Sequence, residues 1–146
     1  MQIVAQALGG EVQPCPKGRE IGIGRHIVLN ENGASHPMYA GKPTHFSALT
    51  VHMDEVSKVP PGAVVLASNG HSDIQAFALE NDQCRFWGVQ YHPEYTLAEL
   101  AAIFRRYGQK LIDAGLFADM EALETMAADW MTLHGNPDRH DLAWRY

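Results

Sequence analysis

The amino-acid sequence predicts an α/β fold, and three observations support this prediction. Short apolar segments separated by turn residues run from about residue 18 to residue 91, in the pattern of a β-sheet. Thr96-Leu97-Ala98-Glu99 then has the form of a capping box, which opens a helix. Two segments with apolar residues at helical spacing follow, one from about 97 to 113 and one from about 119 to 133.

The first third of the chain predicts one helix and then one or two strands. Residues 1–8 carry apolar side chains at helical spacing, and Gly9-Gly10 is a typical C-terminal stop for such a helix. Residues 18–30 alternate as strands do, and Gly22 and Gly24 allow a bend or bulge there. Residues 30–33 are predicted as a turn and residues 34–42 as a surface loop.

The remaining strands and helices are predicted from apolar runs between turn residues. Strands are expected at 46–51, 63–67, 74–79 and 85–91, with turns at Pro60-Pro61-Gly62 and Asn81-Asp82-Gln83. The two helices are expected to turn their apolar faces inward. These inward residues are Leu97, Leu100, Ala101, Phe104, Gly108 and Leu111 in the first helix, and Met120, Leu123, Ala127 and Trp130 in the second.

Composition and charge exclude several classes of protein. The chain has 146 residues, of which 46% are hydrophobic and 19% charged, as expected for one globular domain. The net charge of −6 and the scattered Lys and Arg residues argue against a nucleic-acid binder. No apolar run is long enough for a membrane span, and two cysteines are too few for a disulfide framework. A cytoplasmic location is therefore expected.

The segment Gly88-Val89-Gln90-Tyr91-His92-Pro93-Glu94 is the strongest candidate for a site of chemistry. It places a histidine and a carboxylate two residues apart, where a buried strand ends and a helix begins. An imidazole oriented by a carboxylate is the base half of a nucleophilic triad. The residues alone also permit a turn histidine that only hydrogen-bonds Glu94.

This segment resembles the His-Glu motif of class I glutamine amidotransferases, which use a cysteine triad to release ammonia from glutamine. Met1-Gln2 and the following apolar helix resemble the end of that family's nucleophile elbow, G-x-C-x-G-M-Q. Thr50 to Val56 resembles its glutamine-pocket segment, and Pro61-Gly62-Ala63 and Gln75-Ala76-Phe77 also match. The resemblance is greatest to bacterial relatives of the amidotransferase domain of GMP synthase, and it implies a three-layer, flavodoxin-like fold.

The resemblance also implies roles for individual residues. His92 would be the general base and Glu94 its orienting carboxylate. Gln2 would lie beside the substrate, and the backbone around Val51 and His52 would hold the amino-acid end of L-glutamine. No cofactor and no metal are expected, and an ammonia acceptor or synthetase partner is implied without being identified.

The family's nucleophile is expected three residues before Met1, outside residues 1–146. Residues 1–146 are accordingly expected to be the C-terminal part of an amidotransferase domain that lacks its first strands, and the C-terminus also looks shortened. Removing strands from a parallel sheet would expose an edge, so aggregation, homo-oligomer formation or a need for a partner is expected. Cys15 and Cys84 are expected to be ordinary loop or strand residues that cannot reach His92.

Two further hypotheses follow from the same residues. The chain could be a catalytically inactive protein of the same fold that serves as a binding or regulatory partner. It could also be a metal-dependent hydrolase that uses His52 and His92, since histidine and carboxylate side chains bind zinc. The eight histidines lack the short paired spacing of a metal site, which ranks this hypothesis third.

Overall fold

A computed structural model of the chain describes residues 1–82 and 84–146. The chain divides into two units, residues 1–92 and residues 93–146. Every strand described belongs to the first unit, and the described elements of the second are helices. None of the helices in the described part of the chain combines the length and the apolar character needed to cross a membrane.

The first unit contains short helices and seven described strands. In chain order its elements are α1 (Gln2–Ala7), β1 (Glu11–Pro14), β2 (Glu20–Leu29), α2 (Glu31–Ser35), a 3₁₀-helix (Pro37–Tyr39), β3 (His45–His52), β4 (Asp54–Lys58), β5 (Val64–Ser68), β6 (Ala76–Glu80) and β7 (Arg85–Val89). The predicted first helix is confirmed, and β2, β3, β5, β6 and β7 confirm the predicted strands.

Five of these strands form one sheet in the order β3-β2-β5-β6-β7, and β1 pairs with β4 in a separate ribbon. All pairs among the described strands are antiparallel, so the parallel sheet expected for the flavodoxin-like class is not what joins these strands. Chain connectivity explains the difference. The short segment 81–84 joins β6 to β7, and parallel neighbours need a long crossover instead.

Strand β2 contains the predicted bulge. Three steps along β2 from Gly24 to Ile27 face two steps along β3, from Ala48 to Phe46. His26 lies in this stretch and has a positive φ of 52°, a conformation that is uncommon for a side-chain-bearing residue. The extra residue bends the strand, so that its first part pairs with β3 and its end also pairs with β5.

The prediction of a turn at residues 30–33 is wrong, because a short helix, α2, begins there. Asn30 is its N-cap residue, and its Oδ1 accepts a hydrogen bond from the Gly33 N–H at 2.9 Å. Gly33 packs so closely that a Cβ would lie 2.0 Å from the Leu66 carbonyl oxygen. The predicted loop at 34–42 contains the 3₁₀-helix, whose Tyr39 is only 3% exposed.

Strand β4 was not predicted, whereas the neighbouring turn was. Met53 alone separates β3 from β4, and the chain changes partner strand there. The turn at Pro60-Pro61-Gly62 is confirmed, because the Ala63 N–H donates to the Pro60 carbonyl oxygen at 3.0 Å and Gly62 has a φ of 81°. In the predicted turn at 81–83, Asn81 bonds Cys84, and Gln83 lies outside the described residues.

The core of the first unit lies on both faces of the sheet. Strand β6 shows this directly, because Ala76 and Ala78 belong to one buried cluster while Phe77 belongs to another. Side chains alternate between the faces of a strand, so a strand buried on both faces reads as a continuous apolar run. The first cluster comprises Ile27, Leu29, Tyr39, Leu66, Ala67, Ala76, Ala78 and Tyr91, and the second Ala5, Val56, Ile74 and Phe77.

The second unit contains α3 (Leu97–Asp113), α4 (Met120–Gly135) and α5 (His140–Ala143). The Thr96–Glu99 capping box is confirmed, since the side chain of each residue accepts a hydrogen bond from the backbone N–H of the other. The Phe104 and Trp130 rings lie 5.0 Å apart where α3 packs on α4. Met120 was predicted to face inward; the end of its side chain packs against Gly108 of α3, although the residue is 45% exposed at the start of α4.

Candidate active site

His92 follows β7, and backbone hydrogen bonds hold this part of the chain in place. The Gln90 N–H donates to the Gln75 carbonyl oxygen at 2.8 Å, and the His92 N–H donates to the Leu49 carbonyl oxygen at 2.7 Å. The imidazole is half-buried. Contacts to the segment before β6 and to β3 therefore fix where the chain places this residue.

Tyr91, the residue just before His92, is held in the core by a contact with a second buried tyrosine, Tyr39. The Tyr91 hydroxyl lies 2.9 Å from the Tyr39 hydroxyl, and the Phe46 ring meets the Tyr91 ring edge to face at 5.6 Å. Burial raises the pKa of both tyrosines, so both remain neutral hydroxyls. The pair ties the end of β7 to the 3₁₀-helix.

Glu94 is exposed and lies in the second unit, on the turn that precedes α3. Thr96 begins the capping box two residues later, so the helix start is fixed close to Glu94 in the chain. The Glu99 Oε2 accepts a hydrogen bond from the Thr96 N–H at 2.7 Å. This bond lowers the pKa of Glu99 from its ordinary value.

Gln2 and His52 are brought together at one backbone atom, the Asp54 carbonyl oxygen. Gln2 Nε2 donates to this oxygen at 2.6 Å, and His52 Nδ1 lies 3.1 Å from it. Gln90 Nε2 donates to the same oxygen at 3.3 Å. Val51 is half-buried in β3, opposite Ile21 of β2. The first turn of α1, the end of β3 and the segment before His92 therefore share one contact point, which we call the Asp54 carbonyl junction.

A largely buried carboxylate, that of Glu20, contacts the His52 ring of this junction. Glu20 opens β2 opposite His52, and its Oε2 lies 2.7 Å from His52 Nε2. Asn69 Nδ2 donates to Glu20 Oε1 at 2.6 Å, and Gln75 Nε2 donates to Glu20 Oε2 at 2.9 Å. Burial by itself would raise the pKa of Glu20, but hydrogen bonds from His52, Asn69 and Gln75 outweigh it and hold that pKa below its ordinary value.

The sequence interpretation did not identify Glu20, Asn69, Gln75 or Gln90 as parts of this site. One signal was available, because Glu20 and Gln75 are polar residues next to apolar strand segments. A polar side chain buried at such a position needs hydrogen-bond partners, and two such residues in one sheet can supply each other. The pairing of β2 with β3 and the folding back of the 69–75 segment were needed to show that they meet.

Neither cysteine has the surroundings of a nucleophile. Cys15 is buried after β1, and its Sγ lies 3.5 Å from Glu55 Oε2. Burial raises the pKa of the Cys15 thiol, and the adjacent Glu55 carboxylate raises it further, whereas a nucleophilic cysteine needs a lowered pKa. Cys84 precedes β7, at the opposite end of that strand from His92. At about 3.3 Å per residue that separation is roughly 25 Å.

The third hypothesis, a metal site with His52, receives no support from the ring's surroundings. Glu20 and the Asp54 carbonyl already occupy the two ring nitrogens of His52. Within residues 1–82 and 84–146, no group of three or more His, Cys, Asp or Glu side chains is arranged to hold a metal ion.

Comparisons with known proteins agree with the resemblance seen in the motifs. The family model described as "Glutamine amidotransferase class-I" matches residues 1–108. The chain is 34% identical over 130 residues to a γ-glutamyl-L-1-hydroxyisopropylamide hydrolase from a Pseudomonas species, covering 87% of this chain and 44% of that protein. It is 37% identical over 99 residues to one component of the glutamine-hydrolysing GMP synthase of Methanocaldococcus jannaschii, covering 67% of this chain and 48% of that component.

The solved structures bear on the fold. A glutamine amidotransferase from Thermotoga maritima matches with a TM-score of 0.66 and 20% identity, over 92% of this chain and 54% of that one. This likeness confirms the predicted flavodoxin-like α/β class. The chain spans less than half the length of the two curated relatives. Because the family model matches residues 1–108 of its 146 residues, the chain belongs to the class I glutamine amidotransferase family.

Proposed function

We propose that residues 1–146 supply the general base and part of the substrate pocket of an enzyme that hydrolyses glutamine to glutamate and ammonia. His92 is the base, Glu94 orients it, and Gln2, Val51 and His52 border the bound glutamine. The observation that carries this proposal is the His-x-Glu motif within the family match, at the end of β7.

The proposed reaction proceeds through a cysteine thioester. A thiolate attacks the side-chain amide carbon of glutamine, the C–N bond breaks, and the departing ammonia takes its proton from His92. His92 then removes a proton from water, which attacks the γ-glutamyl thioester; the C–S bond breaks and glutamate leaves. Backbone N–H groups must stabilise the negative charge that develops on the carbonyl oxygen.

We propose that neither Cys15 nor Cys84 forms this thioester. Cys15 is buried beside a carboxylate, and Cys84 lies at the far end of β7 from His92. The ammonia would pass to an acceptor handled by a synthetase partner, as the name of the GMP synthase relative suggests.

Glutamate release from L-glutamine tests this proposal. We expect purified residues 1–146 to release no glutamate. Release that depends on His92 would contradict the proposal that the nucleophile lies outside these residues. The DNA upstream of the Met1 codon is the second measurement. An in-frame G-x-C-x-G is expected there, whereas a stop codon with a ribosome-binding site would favour the inactive binding protein.

If the upstream motif is present, the extended reading frame should release glutamate. His92→Ala should then reduce kcat about a thousandfold, because a general base contributes on this scale. Cys15→Ser and Cys84→Ser are the matched controls and should leave kcat unchanged. Loss of activity in either cysteine variant, with the fold retained, would overturn the proposal.

A second candidate is hydrolysis of γ-glutamyl amides of small amines. The Pseudomonas relative, whose name describes such a substrate, aligns with 87% of this chain. Both reactions cleave the same γ-glutamyl C–N bond and need the same base. The ratio of kcat/KM for glutamine to kcat/KM for a γ-glutamyl alkylamide distinguishes them, since a pocket shaped for one leaving amine discriminates against the other.

A further inference from the structure

The Asn69 side chain, which donates to Glu20, is oriented by two backbone N–H donors. The His71 and Ser72 N–H groups donate to Asn69 Oδ1 at 3.0 and 2.8 Å. A backbone N–H can only donate, so this atom of Asn69 is the amide oxygen and the Nδ2 group faces Glu20. The orientation of the amide is therefore fixed independently of Glu20.

Two side-chain amides donate to the Glu20 carboxylate, and the His52 ring faces one of its oxygens. Asn69 Nδ2 donates to one oxygen, and Gln75 Nε2 and His52 Nε2 face the other. Gln75 Nε2 also donates to Asn69 Oδ1 at 3.0 Å, which fixes its nitrogen on this side. The side chain of Glu20 is only 11% exposed, and its hydrogen bonds hold its pKa below the ordinary value, so the carboxyl is ionised at neutral pH.

His52 consequently faces two acceptors. Its Nε2 lies 2.7 Å from an ionised carboxylate, and its Nδ1 lies 3.1 Å from the Asp54 carbonyl oxygen. Neither acceptor has a proton to give, so the two contacts are both hydrogen bonds only when each ring nitrogen carries its own hydrogen. A neutral ring would direct one nitrogen lone pair at an acceptor lone pair in a site where His52 is 6% exposed.

The other titratable side chain beside this ring does not change the arrangement. His71 meets His52 edge to face, with ring centroids 5.9 Å apart, and comes from the segment between β5 and β6. His71 Nε2 is itself 3.1 Å from the Gly18 carbonyl oxygen. Asp54 contacts His52 through its backbone carbonyl, and Glu20 is the carboxylate that bonds the ring.

We propose that Glu20 is a positioning residue for the glutamine site: it holds His52 as an imidazolium whose second N–H fixes the Asp54 carbonyl, and this carbonyl holds the Gln2 amide. The role of Gln2 beside the substrate rests on the proposed function. One Gln2 N–H is committed to Asp54 at 2.6 Å, which leaves its second N–H and its carbonyl oxygen for other partners. Glu20 acts only through His52 and is not a catalytic residue.

The first test is the protonation state of the His52 ring in the wild-type chain. Long-range ¹H–¹⁵N correlation spectra at pH 7 distinguish an imidazolium from either neutral tautomer. We expect both His52 nitrogens to carry hydrogen. A neutral ring in the folded wild-type chain would overturn the inference, and this measurement does not depend on any variant folding.

The second test compares Glu20→Gln with Glu55→Gln. Glu55 is the matched control, because it is a similarly buried carboxylate. Its partners are Gln13 and Cys15 rather than His52. In folded Glu20→Gln we expect a neutral His52 ring and at least about tenfold faster hydrogen exchange of the Gln2 side-chain amide. Glu55→Gln should change neither. Unchanged spectra of His52 and Gln2 in Glu20→Gln would overturn the inference.

Titration with L-glutamine separates this inference from the proposed function. We expect Glu20→Gln to weaken glutamine affinity about tenfold, the scale of a lost charge-assisted hydrogen bond, and Glu55→Gln to leave it unchanged. If L-glutamine binds neither the wild-type chain nor its extended reading frame while the ring and amide respond as expected, the proposed function fails and the positioning role stands. If glutamine binds wild type and Glu20→Gln equally, the positioning role fails and the proposed function stands.

Discussion

The hydroxyl groups of Tyr39 and Tyr91 lie 2.9 Å apart in the core, and Tyr91 immediately precedes His92 in the chain. Tyr39→Phe leaves the Tyr91 hydroxyl buried without this partner, so we expect a loss of about 1–2 kcal/mol in the free energy of unfolding. Tyr39→Phe/Tyr91→Phe should recover part of the loss, because both polar groups are then absent. Urea denaturation measures this, with exposed Tyr107→Phe as the control. A double variant less stable than the single one would contradict the account.

Gly33 is predicted to tolerate no side chain. In Gly33→Ala the new Cβ would lie 2.0 Å from the Leu66 carbonyl oxygen, which belongs to the backbone of β5 and cannot move aside easily. We expect a loss of about 3 kcal/mol in the free energy of unfolding. Gly70→Ala is the matched control, because its Cβ would meet no atom within 4 Å. Equal thermal midpoints for the two variants would refute the prediction.

The Cys15 thiol should react slowly with iodoacetamide. Burial and the Glu55 carboxylate raise its pKa, so only a small fraction is thiolate at pH 8. Glu55→Gln removes the negative charge, and we expect the pKa to fall and alkylation of Cys15 to accelerate. The rate is measured in a Cys84→Ser background so that one thiol reports. Alkylation of folded wild-type Cys15 as fast as free cysteine would contradict a buried thiol of raised pKa.

Glu20 should make stability depend on pH in the acid range. Its pKa in the folded chain lies below the ordinary value of 4.5, so its stabilisation is complete above that pH and is lost as the pH falls through the folded pKa. Glu20→Gln should therefore cost about 3 kcal/mol at pH 7, because it breaks a buried pair, and progressively less in acid. Chemical denaturation from pH 7 to pH 3 measures this. Exposed Glu124→Gln should show a small effect at pH 7, and a pH-independent cost for Glu20→Gln would exclude the linkage.

Sequence patterns predicted the strands because each is a short apolar run between turn residues. They failed at Asn30 to Gly33 because Asn and Gly favour turns locally, whereas the close packing of Gly33 on Leu66 selects a helix. They failed at β4 because the buried residues Glu55 and Val56 are consecutive, without the alternation typical of a half-buried strand. Antiparallel pairing was not predicted either, because it depends on the length of the connections between strands, which apolar periodicity does not reveal.

Sequence patterns likewise predicted some residues of the candidate site and missed others. The motif named His92 and Glu94, and the resemblance named Gln2, Val51 and His52, because these residues stand in recognisable segments. Glu20 and Asn69 stand in no such segment. Their meeting is a product of strand register and of the loop before β6, so only the structure brings them together.

The bulge at His26 divides β2 into two halves with separate orientations. Residues before it include Glu20, which faces His52, and residues after it include Ile27 and Leu29, which fill the core. Side chains alternate along a regular strand, so Gly24 and Ile27, three residues apart, would lie on opposite faces without the bulge. A regular β2 of the same sequence would therefore turn either Glu20 away from His52 or Ile27 and Leu29 away from the core. The single extra residue thus lets one strand serve both the site and the core with a shared backbone.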